Sequence, residues 1–259
     1  MSTSRGGLLG TGRPVIQVQD LSVPRGGKER ARVEQLFLQD DEILAVMGPN
    51  GAGKSSLLLA IALLIPASWS SYRLLGRDIR AENLLNVRRS MAVVFQDPLL
   101  LDTTVRDNVL MGLLMRGVLR DEAEERARHW LDKLGVGHLA ARKARTLSGG
   151  EAHRTSLARA FALEPAVLLL DEPFSSLDVV SRVSLMKEVR PLLRQTSTSA
   201  IFVTHDFTEA AMVADRVMVM ESGVIVQQGT PKQVLASPAT PLVAALVEFG
   251  RVMASMLGQ

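Results

Sequence analysis

The chain has 259 residues, 47% hydrophobic and 22% charged, a balance that builds a globular core and excludes an intrinsically disordered chain. It contains no cysteine, which removes disulfide frameworks, thiolate metal sites and cysteine nucleophiles, and its net charge of +3 is too thinly spread to argue for a nucleic-acid surface. The longest apolar run, Leu57 to Ala67, falls short of the roughly 18 residues needed to span a membrane, whereas the mean hydropathy of +0.16 suggests a surface covered by a partner.

In chain order, residues 1–14 are rich in Gly, Ser and Thr, lack the apolar stretch of a signal peptide, and read as a flexible tail before a single domain over 15–259. Val15 to Val18 and Val33 to Leu38 read as short strands on either side of a basic, Gly-containing loop or hairpin, Pro24 to Arg32. Ile43 to Met47 reads as the central buried strand, with the glycine-rich segment from Gly48 and an apolar helix from Leu57 behind it. Tyr72 to Leu75 and Met91 to Phe95 are further strands, the second stopped at Gln96, Asp97 and Pro98. Thr104 to Arg116 and Asp121 to Leu134 carry helical spacing, and with a helix over Ala152 to Leu163 they predict a helical lobe at about 98–165, inserted into an α/β core. The core resumes with the continuous apolar runs Val167 to Leu170 and Ala200 to Val203, as expected of strands covered on both faces. Val217 to Met220 and Val224 to Gln228 form a closing hairpin, and Pro231 to Ala236 and Leu242 to Leu257 are terminal helices. The predicted fold is α/β, with a mostly parallel sheet, an N-terminal antiparallel portion and the inserted helical subdomain.

The segment Gly48, Pro49, Asn50, Gly51, Ala52, Gly53, Lys54, Ser55 has the spacing G-x-x-x-x-G-K-S between a strand and a helix. Glycines let the backbone N–H groups curl around phosphate oxygens, Lys54 neutralises the β and γ phosphates, and Ser55 holds Mg²⁺. A Gly-rich turn with a snorkelling lysine is the bland alternative. Asp171 and Glu172 close the apolar run VLLLDE; buried strands do not keep acids in their middle, so both emerge at the end where open α/β sheets bind ligands. Asp171 is expected to hold Mg²⁺ and Glu172 to act as general base on the attacking water, the alternative being a cap on the turn at Pro173. Ser148 and Glu151 have capping-box spacing around Gly149 and Gly150; the two glycines equally suit close approach of a second phosphate, and spacing alone leaves both readings open. Gln96 and His205 each follow a core strand, and their position is the only argument for them.

Six ordered segments, GPNGAGKSS, VVFQDP, LSGGE, VLLLDEP, SSLD and VTHD, together resemble the nucleotide-binding subunit of an ATP-binding cassette (ABC) transporter over nearly the whole chain after the tail. The resemblance implies ATP and Mg²⁺ as cofactors, with Ser56 continuing the nucleotide site, Gln96 in a loop touching Mg²⁺ and sensing the membrane partner, and His205 at the γ-phosphate. It further implies that Ser148 to Glu151 complete the ATP site of an opposite subunit, that Asp178 lies in a loop crossing the interface, and that two ATP molecules are sandwiched in a head-to-tail dimer. Implied partners are an integral-membrane permease, a second copy or closely related ATPase subunit, and an extracytoplasmic substrate-binding protein, at the cytoplasmic face of the membrane and without nucleic acid.

Three departures from the family pattern stand out. No aromatic residue precedes the phosphate loop to stack on adenine, and Arg25 is the candidate to stack instead; Ser56 stands for the usual threonine; and His153 stands where glutamine often follows the signature. A chain without membrane spans, with little sequence after the last core elements, resembles importer subunits, and VVFQDPLLLDTTVRDNVLMGLLMRG is most similar to importers of oxyanions such as tungstate, molybdate or phosphate. The rival readings are an exporter ATPase with a separate permease and a non-transport ABC ATPase acting on nucleic acid or ribosomes.

Overall fold

The computed structural model describes residues 14–25 and 28–257. The predicted tail lies outside the described residues up to position 13, and Pro14 opens β1 (Pro14–Arg25). This strand pairs antiparallel with β2 (Lys28–Gln39), and both run for 12 residues. Of the two expectations for this stretch, loop or hairpin, the structure shows the hairpin, with Pro24 paired to Glu29 and Arg25 to Lys28. Period-two burial sustains the ladder: Leu21, Val23, Ala31 and Val33 are buried while Arg32 and Glu34 face out. With β4 (Ser71–Leu74) and β5 (Arg77–Asp78) these strands form an antiparallel sheet in the order β2-β1-β4-β5.

The second sheet has the order β10-β9-β3-β8-β7-β6, from β3 (Ile43–Met47), β6 (Met91–Val94), β7 (Val167–Asp171), β8 (Ser199–Thr204), β9 (Arg216–Glu221) and β10 (Val224–Gly229). All its pairings are parallel except that of β9 with β10. Apart from edge strand β10, both faces are covered, and alternate residues enter different cores. Ile43, Ala45 and Met47, with Leu168, Leu170, Ala200 and Phe202, enter the core that also holds the helical lobe. Leu44, Val46, Val167, Leu169, Ile201 and Val203 enter the core shared with the antiparallel sheet and α1 (Lys54–Ile61). Continuous apolar runs in the sequence are the direct result.

After the short α2 (Leu84–Arg89), the helical lobe is built from α3 (Val105–Met115), α4 (Arg120–Lys133) and α5 (Gly149–Phe161). Thr104 caps α3, accepting from Asp107 N at 3.0 Å. Helix α5 starts at Gly149 and not at Ala152, because the Ser148–Glu151 capping box satisfies its first turn. Trp130 stacks on Phe161 at 4.9 Å between ring centroids and 14° between planes, welding α4 to α5. Buried Asn108 holds the segment after β6 on α3: its amide donates to Leu101 O at 3.1 Å and accepts from Leu101 N at 2.8 Å.

The chain also forms α6 (Val179–Gln195) and α7 (Phe207–Val213), which the sequence patterns above do not include. Pro191 and the β-branched start of α6 argue against a helix, but Pro191 faces solvent while Leu185, Met186, Val189, Leu192 and Leu193 bury one stripe. Asp178 supplies the cap, accepting from Ser181 N at 3.0 Å. Helices α8 (Pro231–Ala236) and α9 (Pro241–Leu257) end the described chain, within one residue of expectation. Trp130→Ala removes the stacked ring from a core that is closed on all sides and is expected to destabilise the protein by about 3–5 kcal/mol in denaturant melts.

Candidate functional site

Parallel, neighbouring strands deliver their C-terminal ends to one edge, and the candidate groups collect there. The loop after β3 folds as the spacing requires. A Cβ on Gly48 would meet the Met220 carbonyl oxygen at 2.2 Å, and one on Gly53, whose φ is +99°, would meet the Arg30 carbonyl oxygen at 2.6 Å. Only glycine fits either place. Lys54 begins α1, is 5% exposed, and donates from Nζ to Gly48 O at 2.9 Å and Pro49 O at 3.1 Å. The ammonium is thus held across the mouth of its own loop.

Asp171, on the same face of β7 as Val167 and Leu169, points towards α1 and accepts from Ser55 Oγ at 2.8 Å. Glu172 leaves the strand with φ 43°, a left-handed conformation that is strained for glutamate. Its Oε1 lies 3.9 Å from Lys54 Nζ and its Oε2 lies 3.3 Å from His205 Nδ1. Burial lowers the Lys54 pKa, opposed by the neighbouring Glu172 and Asp171 carboxylates. Burial likewise raises Asp171, and the Ser55 hydrogen bond and Lys54 work against it.

A cleft of about 320 Å³ is lined by Arg30, Asn50, Gly51, Gly53, Lys54, Ser55, Ser56, Gln96 and Glu172. Gln96 is thereby placed with the phosphate loop, as its position after β6 predicted. Arg30 lines the cleft although the motifs do not reveal it; its only trace in the sequence is membership of the basic stretch read as a loop or hairpin. The side chain of Arg25, and with it the expected adenine stacking, lies outside the described residues. Among the described residues no group of three or more His, Asp or Glu side chains could hold a metal. The Ser55 hydroxyl, the Asp171 carboxylate and the Gln96 amide are hard oxygen donors, and this sparse set suits Mg²⁺, which keeps waters and substrate phosphates as its remaining ligands.

Ser148 to Glu151 do not line the cleft. They form a capping box, Glu151 accepting from Ser148 N at 2.7 Å, and the turn packs against the segment leading to Asp178: Cβ positions on Gly149 and Gly150 would lie 3.7 Å from Ser176 O and 3.5 Å from Ser181 Oγ. His153 fastens the two, its buried Nε2 standing 2.6 Å from Ser176 Oγ, and burial pushes its pKa down. Beyond Asp178, Arg182 on α6 reaches Asp206 at 3.9 Å and Glu209 at 3.8 Å, next to His205. Glu209 also accepts from Thr204 Oγ1.

The family model described as ABC transporter matches residues 34–175. The chain belongs to the ABC transporter family. It is 39% identical over 240 residues to an Fe(3+) ions import ATP-binding protein of Streptomyces avermitilis, a match covering 92% of this chain and 69% of the relative. It is 38% identical over 234 residues to an sn-glycerol-3-phosphate import ATP-binding protein of Rhizobium etli, covering 90% and 66%. The chain therefore spans about two thirds of the length of these relatives. Among solved structures, cbiO1 from Clostridium perfringens, described as part of the ABC transporter complex cbiONQ, superposes with a TM-score of 0.80 at 27% identity, covering 93% of this chain and 99% of that one. As an ABC ATPase the chain binds ATP with Mg²⁺ and hydrolyses it, in the α/β fold predicted.

Glu209 is buried, and its pKa rises from the ordinary 4.5 to about 6 through desolvation, which the Thr204 hydrogen bond and Arg182 only partly offset. The folded state then binds more protons than the unfolded state between these values, so stability falls by about 2 kcal/mol as pH rises from 4.5 through 6. Glu209→Gln is expected to flatten that part of the stability profile, read from chemical denaturation at a series of pH values.

Proposed function

We propose that this chain energises an importer as its ATP-hydrolysing subunit, closing on two MgATP with a second copy or a closely related subunit and reopening after hydrolysis. The observation that carries the reading is the meeting of Lys54, the Ser55–Asp171 pair and the Glu172–His205 pair at one sheet edge. Lys54 and the N–H groups of residues 48–55 stabilise phosphate charge, the main demand of phosphoryl transfer. Glu172 Oε accepts the proton of the attacking water, and His205, 3.3 Å away, fixes that carboxylate and reaches the γ-phosphate. Ser55, Asp171 and Gln96 would hold Mg²⁺, which when bound would supply positive charge against the phosphates. Ser148 to Glu151 and Asp178 serve the partner's site, in keeping with their position outside this chain's own cleft.

In this reading 15–259 form one ABC domain with a helical subdomain at about 98–165. The partner is a membrane permease, with an extracytoplasmic binding protein supplying the solute and this subunit peripheral at the cytoplasmic face. No helix among the described residues is long and apolar enough to cross a membrane. Exposed Leu99 and Leu101, which follow Gln96 after β6, together with Leu85 on α2 and Met111, Leu114 and Met115 on α3, offer the permease apolar side chains. The solute is a small one. Relatives of nearly equal identity are named for Fe(3+) and for sn-glycerol 3-phosphate, which supports a cassette that does not itself select the solute. Of the oxyanion class, only a phosphate ester finds support in those names; tungstate and molybdate find none.

Glu172→Gln is expected to lower ATP turnover by about 10²–10⁴-fold while leaving MgATP binding intact and trapping the dimer, followed by phosphate release and size-exclusion chromatography; turnover near the wild-type rate would remove Glu172 from the base role. Met115→Asp is expected to abolish recovery of a polytopic membrane protein with the tagged chain from mild-detergent extracts. Recovery of ribosomal or DNA-repair proteins from the wild type, without a permease, would favour the non-transport reading.

A further inference from the structure

Arg30 is a cation at the nucleotide cleft that no group among the described residues answers. Its side chain lines the cleft together with Lys54 and Glu172, and its Nε is buried without a hydrogen-bond partner. Its guanidinium makes no ion pair among the described residues, while the two carboxylates of the site are engaged elsewhere, Asp171 by Ser55 and Glu172 by Lys54 and His205. The backbone that carries Arg30 is rigidly placed. Its carbonyl oxygen abuts both Gly53 and Gly223, at 2.6 and 2.9 Å from where their Cβ atoms would stand. Next to it, Arg32 N donates to Gly223 O at 2.7 Å, and Gly223 N donates to Ala52 O at 3.0 Å, so β2 is wedged between the phosphate loop and the β9–β10 turn. A buried N–H without a partner is unfavourable unless an acceptor meets it, and the half-buried side chain turns the rest of its guanidinium to the cleft. Its forked N–H donors match phosphate oxygens.

We propose that Arg30 binds the polyphosphate of the nucleotide. The proposal rests on the reading of this cleft as the MgATP site and adds to it a cation from the antiparallel sheet, separate from the adenine stacking expected of Arg25. Its place on β2 means that the strand pair, and not only the phosphate loop, senses whether the cleft holds an anion.

The test is calorimetric titration of wild type, Arg30→Ala, Arg30→Lys and Arg30→Gln with ATP and with inorganic tripolyphosphate, magnesium present throughout. Arg30→Ala is expected to weaken both ligands by a similar factor, about tenfold to a hundredfold, with Arg30→Lys binding both more tightly than Arg30→Gln. Wild-type affinity in Arg30→Ala, or equal affinities for the Lys and Gln variants, would overturn the proposal. So would a loss confined to ATP with tripolyphosphate unaffected, which would put the guanidinium on the adenosine instead. Lys54→Ala separates the two levels: if it too binds both ligands like wild type, the cleft itself has been misread, whereas a weakened Lys54→Ala beside an unchanged Arg30→Ala refutes only the role of Arg30.

Discussion

Parallel pairing of β3, β7 and β8 in a fixed register is the constraint from which the site follows. Met47 pairs with Thr204 and Asp171 with Val203, so the phosphate loop, the two carboxylates and His205 leave the sheet at the same level. A slip of one residue in β7 would turn Asp171 to the opposite face, away from Ser55 and α1. Burial on both faces prevents the slip, because alternate residues of each strand belong to different cores.

The charges gathered at that edge are expensive to bury and are kept by mutual support. Lys54 lies between its own loop carbonyls and Glu172, Asp171 between Ser55 and the ammonium, and Glu172 between Lys54 and His205. Burial acts on Lys54 and Asp171 in opposite senses, depressing the cation's pKa and raising the acid's, so each favours less charge than it carries in water. The left-handed backbone of Glu172 is the local strain by which its carboxylate is aimed at this cluster.

A continuous set of contacts runs from the turn at Ser148 to the surroundings of His205. His153 joins α5 to Ser176, the loop from Ser176 ends in the Asp178 cap of α6, and Arg182 on α6 reaches Asp206 and Glu209 beside His205. The capping-box turn at Ser148 is thus mechanically connected, within one chain, to the edge that carries His205. His153 fills this place as a buried imidazole whose pKa burial pushes down, and glutamine too carries groups able to hydrogen-bond Ser176.

Much of this site is legible in the order of residues. The G-x-x-x-x-G-K-S spacing, the acids at the end of VLLLDE and the capping box at Ser148 are local patterns whose physical meaning is carried by adjacent residues. The same holds for the core strands, since an apolar run bounded by breakers has few other uses. The full length of β1 and β2 is not legible, because their ladder crosses a basic, glycine-containing stretch whose local signals leave loop and hairpin open. Helix α6 is hidden in the same way: Pro191 and β-branched residues mask a stripe that becomes meaningful only against the sheet. Arg30 is concealed for a stronger reason. Nothing near it in the chain marks it as a site residue; only the packing of β2 against Gly53 and Gly223 brings it to the cleft. The capacity to bind phosphate, carry a proton or start a helix is thus written in the residues themselves, because it belongs to side chains and short backbone patterns. Which of those residues meet is settled only in the folded chain, because strand register and the packing of two cores depend on contacts between residues far apart in sequence.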